Sequence, residues 1–191
     1  LAVDGQGERF ATGSVDKSIR VWDRATGDLL RLLHVPVGPG LIGAVDAVAL
    51  SPNGEFLLAA SVSFDTPAPA LQSSVYLFRV DSAAIMGRLR GLSGRVEALV
   101  YAPSGDYFAA HLGPAGVRVW TSSGEGIFLD EPLAAPVRAI AFGPDDRLYA
   151  MDREGGLRVL GLDGKAVRLV TQVDVTLPGD PFSMRVSPDG T

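Results

Sequence analysis

The chain has 191 residues, 47% of them hydrophobic and 20% charged, with a formal net charge of −5. This length and apolar content suit a folded domain of ordinary size, or part of a larger one, and exclude a disordered chain. The acidic balance, with Lys and Arg scattered singly, excludes a nucleic-acid surface, and no apolar run approaches the roughly 20 residues that cross a bilayer.

Cysteine is absent, which removes disulfides and thiolate chemistry and leaves the compartment open. The first residue is Leu1, and no basic-then-apolar leader is present, so we expect a soluble cytoplasmic protein and a chain that is part of a longer one. Arg outnumbers Lys fifteen to two, a codon bias that points to a bacterial source.

In chain order, the first element is a turn, DGQGERF from Asp4, followed by the alternating strand SIRVWD from Ser18. A further strand, LLRLLHV from Leu29, runs into GPGLIG, Gly38 to Gly43. Those glycines have the G-x-G-x-x-G spacing of a dinucleotide loop, which works only between a strand and a helix. After Gly43 the chain enters AVDAVAL, a period-2 strand stopped by Pro52, so no helix dipole is available for a phosphate and no cofactor is expected. Next come the turn SPNGEFL from Ser51, the Pro-rich stretch SFDTPAPALQSS from Ser63 to Ser74, and the strand SVYLFRV. RVEALVY from Arg95, APSGDYF from Ala102 and GVRVWT from Gly116 repeat the order, as do PVRAIAF from Pro136, GPDDRLY from Gly143 and GLRVLG from Gly156. PFSMRV from Pro181 and SPDGT from Ser187 begin it once more.

The turn marks Gly7, Gly54, Gly105, Asp146 and Gly190 lie 47, 51, 41 and 44 residues apart. This period assigns repeats to 1–43, 44–94, 95–135 and 136–180, with the start of a fifth at 181–191. Each reads as four antiparallel strands with Gly, Pro, Asn, Asp or Ser at the turns, and no segment keeps helical spacing. A four-stranded sheet of about 45 residues cannot bury both faces alone, so neighbouring copies must stack. The fold class is all-β, built from stacked four-stranded antiparallel blades.

ATGSVDKSIRVWD, Ala11 to Asp23, resembles the second half of a WD-repeat, and SPNGEFLLAAS and APSGDYFAA resemble its first-hairpin turn. The resemblance implies a β-propeller. It also implies a structural network in which Asp16, in the tight turn before the third strand, bonds with the strand Trp22 and a His before the first strand. Trp120 keeps the Trp in the third unit, followed by Thr121, whereas Phe78 and Leu160 replace it in the second and fourth. Four repeats fall short of the seven or eight blades usual at this repeat length, so the ring is expected to be incomplete, with further blades or a second copy completing it.

Two insertions depart from the repeat. Val45 lies eleven positions after His34 where about four are expected, and 63–74 replaces a connection that the first unit makes with Val15-Asp16-Lys17. In propellers of this family both connections emerge on one rim. They would bring Leu41, Ile42, Phe64 and Leu71 to a surface otherwise polar, a candidate site for a protein or peptide partner.

Catalytic signals are weak. His34 and His111 lack ligand spacing to each other, and the acidic pairs Asp130-Glu131, Asp145-Asp146 and Asp152-Glu154 sit at turns without the alternation of a calcium loop, so no metal is expected. His34 reads as a displaced remnant of the family His, and His111 as a half-buried strand residue. Ser93 in GLSGR has the second glycine one place too early for a nucleophile elbow. Asp46, Glu97 and Arg138 hold equivalent places on the inner strands, where a wet channel is expected to solvate them. The sequence thus favours a non-enzymatic interaction platform. The alternatives are a sensor or regulatory half of a larger bacterial signalling protein, and a propeller hydrolase whose site lies on other blades.

Overall fold

The computed structural model describes residues 1–63, 72–129, 137–164, 166–175 and 183–187. The chain divides into two compact units, Leu1–Leu99 and Val100–Thr191. Sixteen strands are described, with a single 3-10 turn at Gly113–Ala115 as the one helical element among the described residues. The architecture is all-β.

The first unit holds two sheets. One runs β1 (Ala2–Val3), β2 (Arg9–Gly13), β3 (Ser18–Asp23) and β4 (Leu29–His34), each antiparallel to the next. The other runs β5 (Val45–Leu50), β6 (Phe56–Ser63), β7 (Gln72–Arg79) and β8 (Ala84–Ser93). Alternation fixes which side chains face inward, because successive residues of a strand point to opposite faces. Ala11, Ile19, Val21 and Leu33 of the first blade thereby join Leu57, Ala59, Tyr76 and Phe78 of the second in one buried cluster. Each blade supplies one face, and neither face could be dry alone.

The third blade, β9 (Ala98–Tyr101), β10 (Tyr107–His111), β11 (Val117–Thr121) and β12 (Gly126–Leu129), falls in the second unit apart from the start of β9. The fourth is β13 (Val137–Phe142), β14 (Leu148–Asp152), β15 (Gly156–Leu162) and β16 (Ala166–Asp174). Within each blade the pairing is antiparallel, but β12 and β16 also pair in parallel, through Phe128 with Ala166 and Leu129 with Val167. That short ladder joins the two sheets into one of eight strands.

The turn between the first two strands explains the repeated glycine. Gly7, Gly54, Gly105 and Asp146 all lie at positive φ, between 58° and 80°. Their amides donate to Asp4, Ser51, Ala102 and Gly143 carbonyls at 2.9–3.2 Å. Glycine takes this left-handed conformation without a Cβ clash, and Asp tolerates it better than most residues, so Asp146 can replace the glycine.

Two sequence expectations about polar groups need correcting. Asp46 is not solvated: its carboxylate is buried and accepts a hydrogen bond from Arg95, whose guanidinium lies in water. The carboxylate and its hydrogen bond hold the Arg95 guanidinium above its ordinary pKa. Glu97 is exposed, whereas Arg138 is half-buried. His111 is fully buried, with Nε2 at 2.6 Å from the Val137 carbonyl oxygen, which links β10 to the first strand of the next blade. A polar group at that depth is stable because it is hydrogen-bonded.

Candidate functional site

The site is built on the connections at one end of the first two blades. Ser14 to Ser18 form a tight turn in which the Lys17 amide donates to the Ser14 carbonyl and the Ser14 amide to Ser18. Lys17 sits at φ 73°, left-handed for a residue with a side chain. Its Nζ donates to the Gly38 carbonyl at 2.7 Å, tying this turn to the first insertion.

That insertion is a hydrogen-bonded structure of its own. The Gly38 amide donates to Ile42, the Ile42 amide to Pro39 and the Ala44 amide to Leu41. A Cβ on Gly38 would meet Ile42 Cγ2 at 2.9 Å, so the Ile42 side chain packs over bare backbone and is half-buried within the loop. Gly43 at φ 94° then turns the chain, and its amide donates to the Val62 carbonyl near the end of β6. The two glycine-dependent steps leave Leu41 pointing away, 64% exposed.

Val37 and Val15 are also more than 60% exposed on these two linked connections. Sequence reading singles out Leu41 and Ile42 and misses Val15 and Val37. Val15 at the tip of a tight turn is a readable signal, because that position favours polar residues. The Lys17 link is not readable, since it depends on a backbone conformation. Phe64 and Leu71 lie outside the described residues. The strands on either side of them carry a polar seam, in which Ser63 and Ser74 hydroxyls lie 3.0 Å apart and Arg88 donates to the Ser74 hydroxyl at 2.9 Å. The Arg88 guanidinium also lies 5.1 Å from the centre of the Tyr76 ring, a cation–π contact.

Asp16 and Trp22, expected in one network, have different partners. Asp16 accepts from the Ser18 hydroxyl at 2.5 Å, from the Ser18 amide at 2.9 Å and from Arg20 at 3.2 Å. The Ser18 hydroxyl above all, then its amide, holds the Asp16 carboxyl far below the usual carboxylate range. Trp22 Nε1 donates to the Thr12 hydroxyl at 3.2 Å, and its ring stacks on Phe10. Trp120 stacks on Phe108 in the same way. His34 is exposed on β4, opposite Ser18.

Asp152 and Arg158 form a buried pair at 3.5 Å, and Asp152 also accepts the Gly156 amide at 2.7 Å. Among the described residues no three His, Asp or Glu side chains are placed to hold a metal ion, and no helix is long and apolar enough to cross a membrane.

Residues 1–23 match the family pattern described as WD domain, G-beta repeat. Curated proteins gave no match. Among solved structures, the β-propeller domain of Cps50 (Swd1) from Myceliophteria thermophila superposes with a TM-score of 0.74 at 17% identity. The likeness covers 98% of this chain and 58% of that one, so the chain spans little more than half of that propeller's length. This likeness along nearly the whole chain identifies the fold as a β-propeller, and the WD-repeat signature stands in its first blade, over residues 1–23.

Proposed function

We propose that the chain is a non-enzymatic interaction platform that takes a protein or peptide partner on the rim formed by its β2–β3 and β4–β5 connections. Propellers of this kind commonly act as interaction surfaces, and that analogy sets the class. The observation that carries the reading is specific to this chain: Leu41, Val37 and Val15 stand exposed on backbone held by the Lys17–Gly38 bond and the turn bonds around Gly40 and Gly43. Ordered apolar side chains lose little conformational entropy on docking, which favours binding over solvation. On sequence grounds Phe64 and Leu71 belong to the same surface, and Ile42 supports Leu41 from beneath.

The test is a peptide library selected against the wild-type chain and counter-screened against Leu41→Ser/Val37→Ser. The reading expects binders that lose at least tenfold in affinity on the double variant and keep it on Val173→Ser, far along the chain on β16. Binders indifferent to the rim substitutions would rule it out.

A further inference from the structure

We propose that Asn53 is a modification site: it deamidates spontaneously in the folded chain, and the β5–β6 turn keeps the aspartate product while the isoaspartate product opens it. Asn53 is the single asparagine of the sequence, and Gly54 follows it. It stands exposed at the tip of the turn, so water has access to its amide. The glycine sets no Cβ in the way as its nitrogen approaches the side-chain carbonyl carbon, a setting in which asparagine is thermolabile.

Two donors already address the oxygen on which charge develops in that step. The Ser51 hydroxyl donates to Asn53 Oδ1 at 2.7 Å and the Glu55 amide at 3.1 Å. Donors held at such distances stabilise an oxyanion as it forms. Against them stands the bond from the Gly54 amide to the Ser51 carbonyl at 2.9 Å, which must be released before the nitrogen attacks. A single backbone bond of this kind is worth about a tenfold change in rate at most.

The chemistry balances with water as the sole co-reactant. The Gly54 nitrogen gives up its proton and bonds to Asn53 Cγ, the Cγ–Nδ2 bond breaks, and ammonia leaves with that proton, closing a five-membered imide. Water then opens the ring. Addition at Cγ restores the main chain and leaves aspartate, whereas addition at the Asn53 main-chain carbonyl carbon leaves isoaspartate, with the chain routed through Cβ and Cγ.

The other blades show which product the turn accepts. Ser104 and Asp145 hold the place of Asn53 in the third and fourth blades, and each accepts the same bond, from the Asp106 amide at 3.1 Å and the Arg147 amide at 3.3 Å. A carboxylate at residue 53 therefore suits this turn. Isoaspartate does not, because its extra backbone carbon falls between two bonds that tie the turn to the first blade. There the Gly5 amide donates to the Pro52 carbonyl at 3.0 Å and the Arg9 guanidinium to the Gly54 carbonyl at 3.2 Å. Gln6, at the same place in the first blade, has to close a six-membered ring and serves as the internal control.

The test holds the chain at physiological temperature and pH, folded and in parallel unfolded in urea, and maps residue 53 by mass spectrometry. Exchange of NH for O raises the mass, whereas isomerisation at Asp4-Gly5 or another Asp-Gly pair leaves it unchanged, so the gain assigns the site. Conversion in the folded chain should run within about tenfold of the unfolded one, with Gln6 unchanged. Asn53→Asp should keep the wild-type melting temperature, and the isoaspartate fraction, separated by chromatography, should melt lower. Asn53 left intact in the folded chain overturns the proposal. So does an Asn53→Asp protein that melts well below wild type, or an isoaspartate fraction that melts with it. None of these readouts involves the rim, so the proposal and the peptide-binding reading fail separately.

Discussion

The first and third blades carry the same Phe–Trp pair at the same ladder position and keep it in different surroundings. Phe10 and Trp22 stack at 5.9 Å with planes 11° apart, and Phe108 and Trp120 at 5.4 Å with planes 18° apart. The first pair is half-exposed, whereas Phe108 and Trp120 are 3% and 7% exposed. Beside the half-wet pair stands Thr12, whose hydroxyl accepts the Trp22 N–H; beside the dry pair the equivalent residue is Ala110. A hydroxyl costs little where water reaches and is expensive where it does not. The stack is therefore a property of the strand pair, and the polarity around it tracks burial.

The largest expected effect separates the two tryptophans. Trp120→Ala should cost about 3–5 kcal/mol, as a large buried ring leaves a cavity, and Trp22→Ala about 2 kcal/mol, in proportion to the smaller area it hides. Urea unfolding of both variants checks this, and equal losses would break the comparison. Next in size is the turn glycine of the third blade. Gly105→Ala, at φ 80°, should cost about 1–2 kcal/mol, and Gly105→Asp less, because Asp146 holds the same place in the fourth blade at φ 58°. Thermal melts of the pair decide the order. A smaller effect is expected from Thr12→Val, which removes the acceptor for Trp22 and should cost about 1 kcal/mol; a shift in the Trp22 indole N–H resonance would accompany it.

The smallest effect concerns acid. The β2–β3 turn of the first blade contains Asp16, whereas the corresponding β10–β11 connection is the 3-10 turn Gly113–Ala115, with no carboxylate. The folded Asp16 pKa lies below its unfolded value, so its contribution is complete above the unfolded value near about 4 and fades as pH falls toward the folded one. Because the carboxylate faces solvent, the effect is modest. Asp16→Asn should flatten the fall in melting temperature below about pH 4, and a profile unchanged by the substitution would show that the acid sensitivity lies elsewhere.

Much of this architecture is legible in the sequence. The turn marks Gly7, Gly54, Gly105 and Asp146, the alternation of AVDAVAL and PVRAIAF and the absence of helical spacing are local signals, and strands form where those signals stand. The candidate site is legible in part. Leu41 is identifiable as an apolar residue in an insertion, but Ile42 beside it differs only in packing over Gly38, a contact that depends on how the loop folds back. Asp46 looks like a channel residue from strand alternation alone. Its buried carboxylate is paired with Arg95, 49 positions later, and no local pattern encodes that pairing.

The parallel ladder between β12 and β16 alters how the last two repeats melt. In an array whose units meet only through side chains, each repeat can open with its neighbour's help as the sole restraint. Here the outer strand of one repeat is also stitched by main-chain bonds to that of the next. Fraying of the fourth blade must therefore disturb the third, and amides of β12 and β16 should exchange with solvent as one cooperative group.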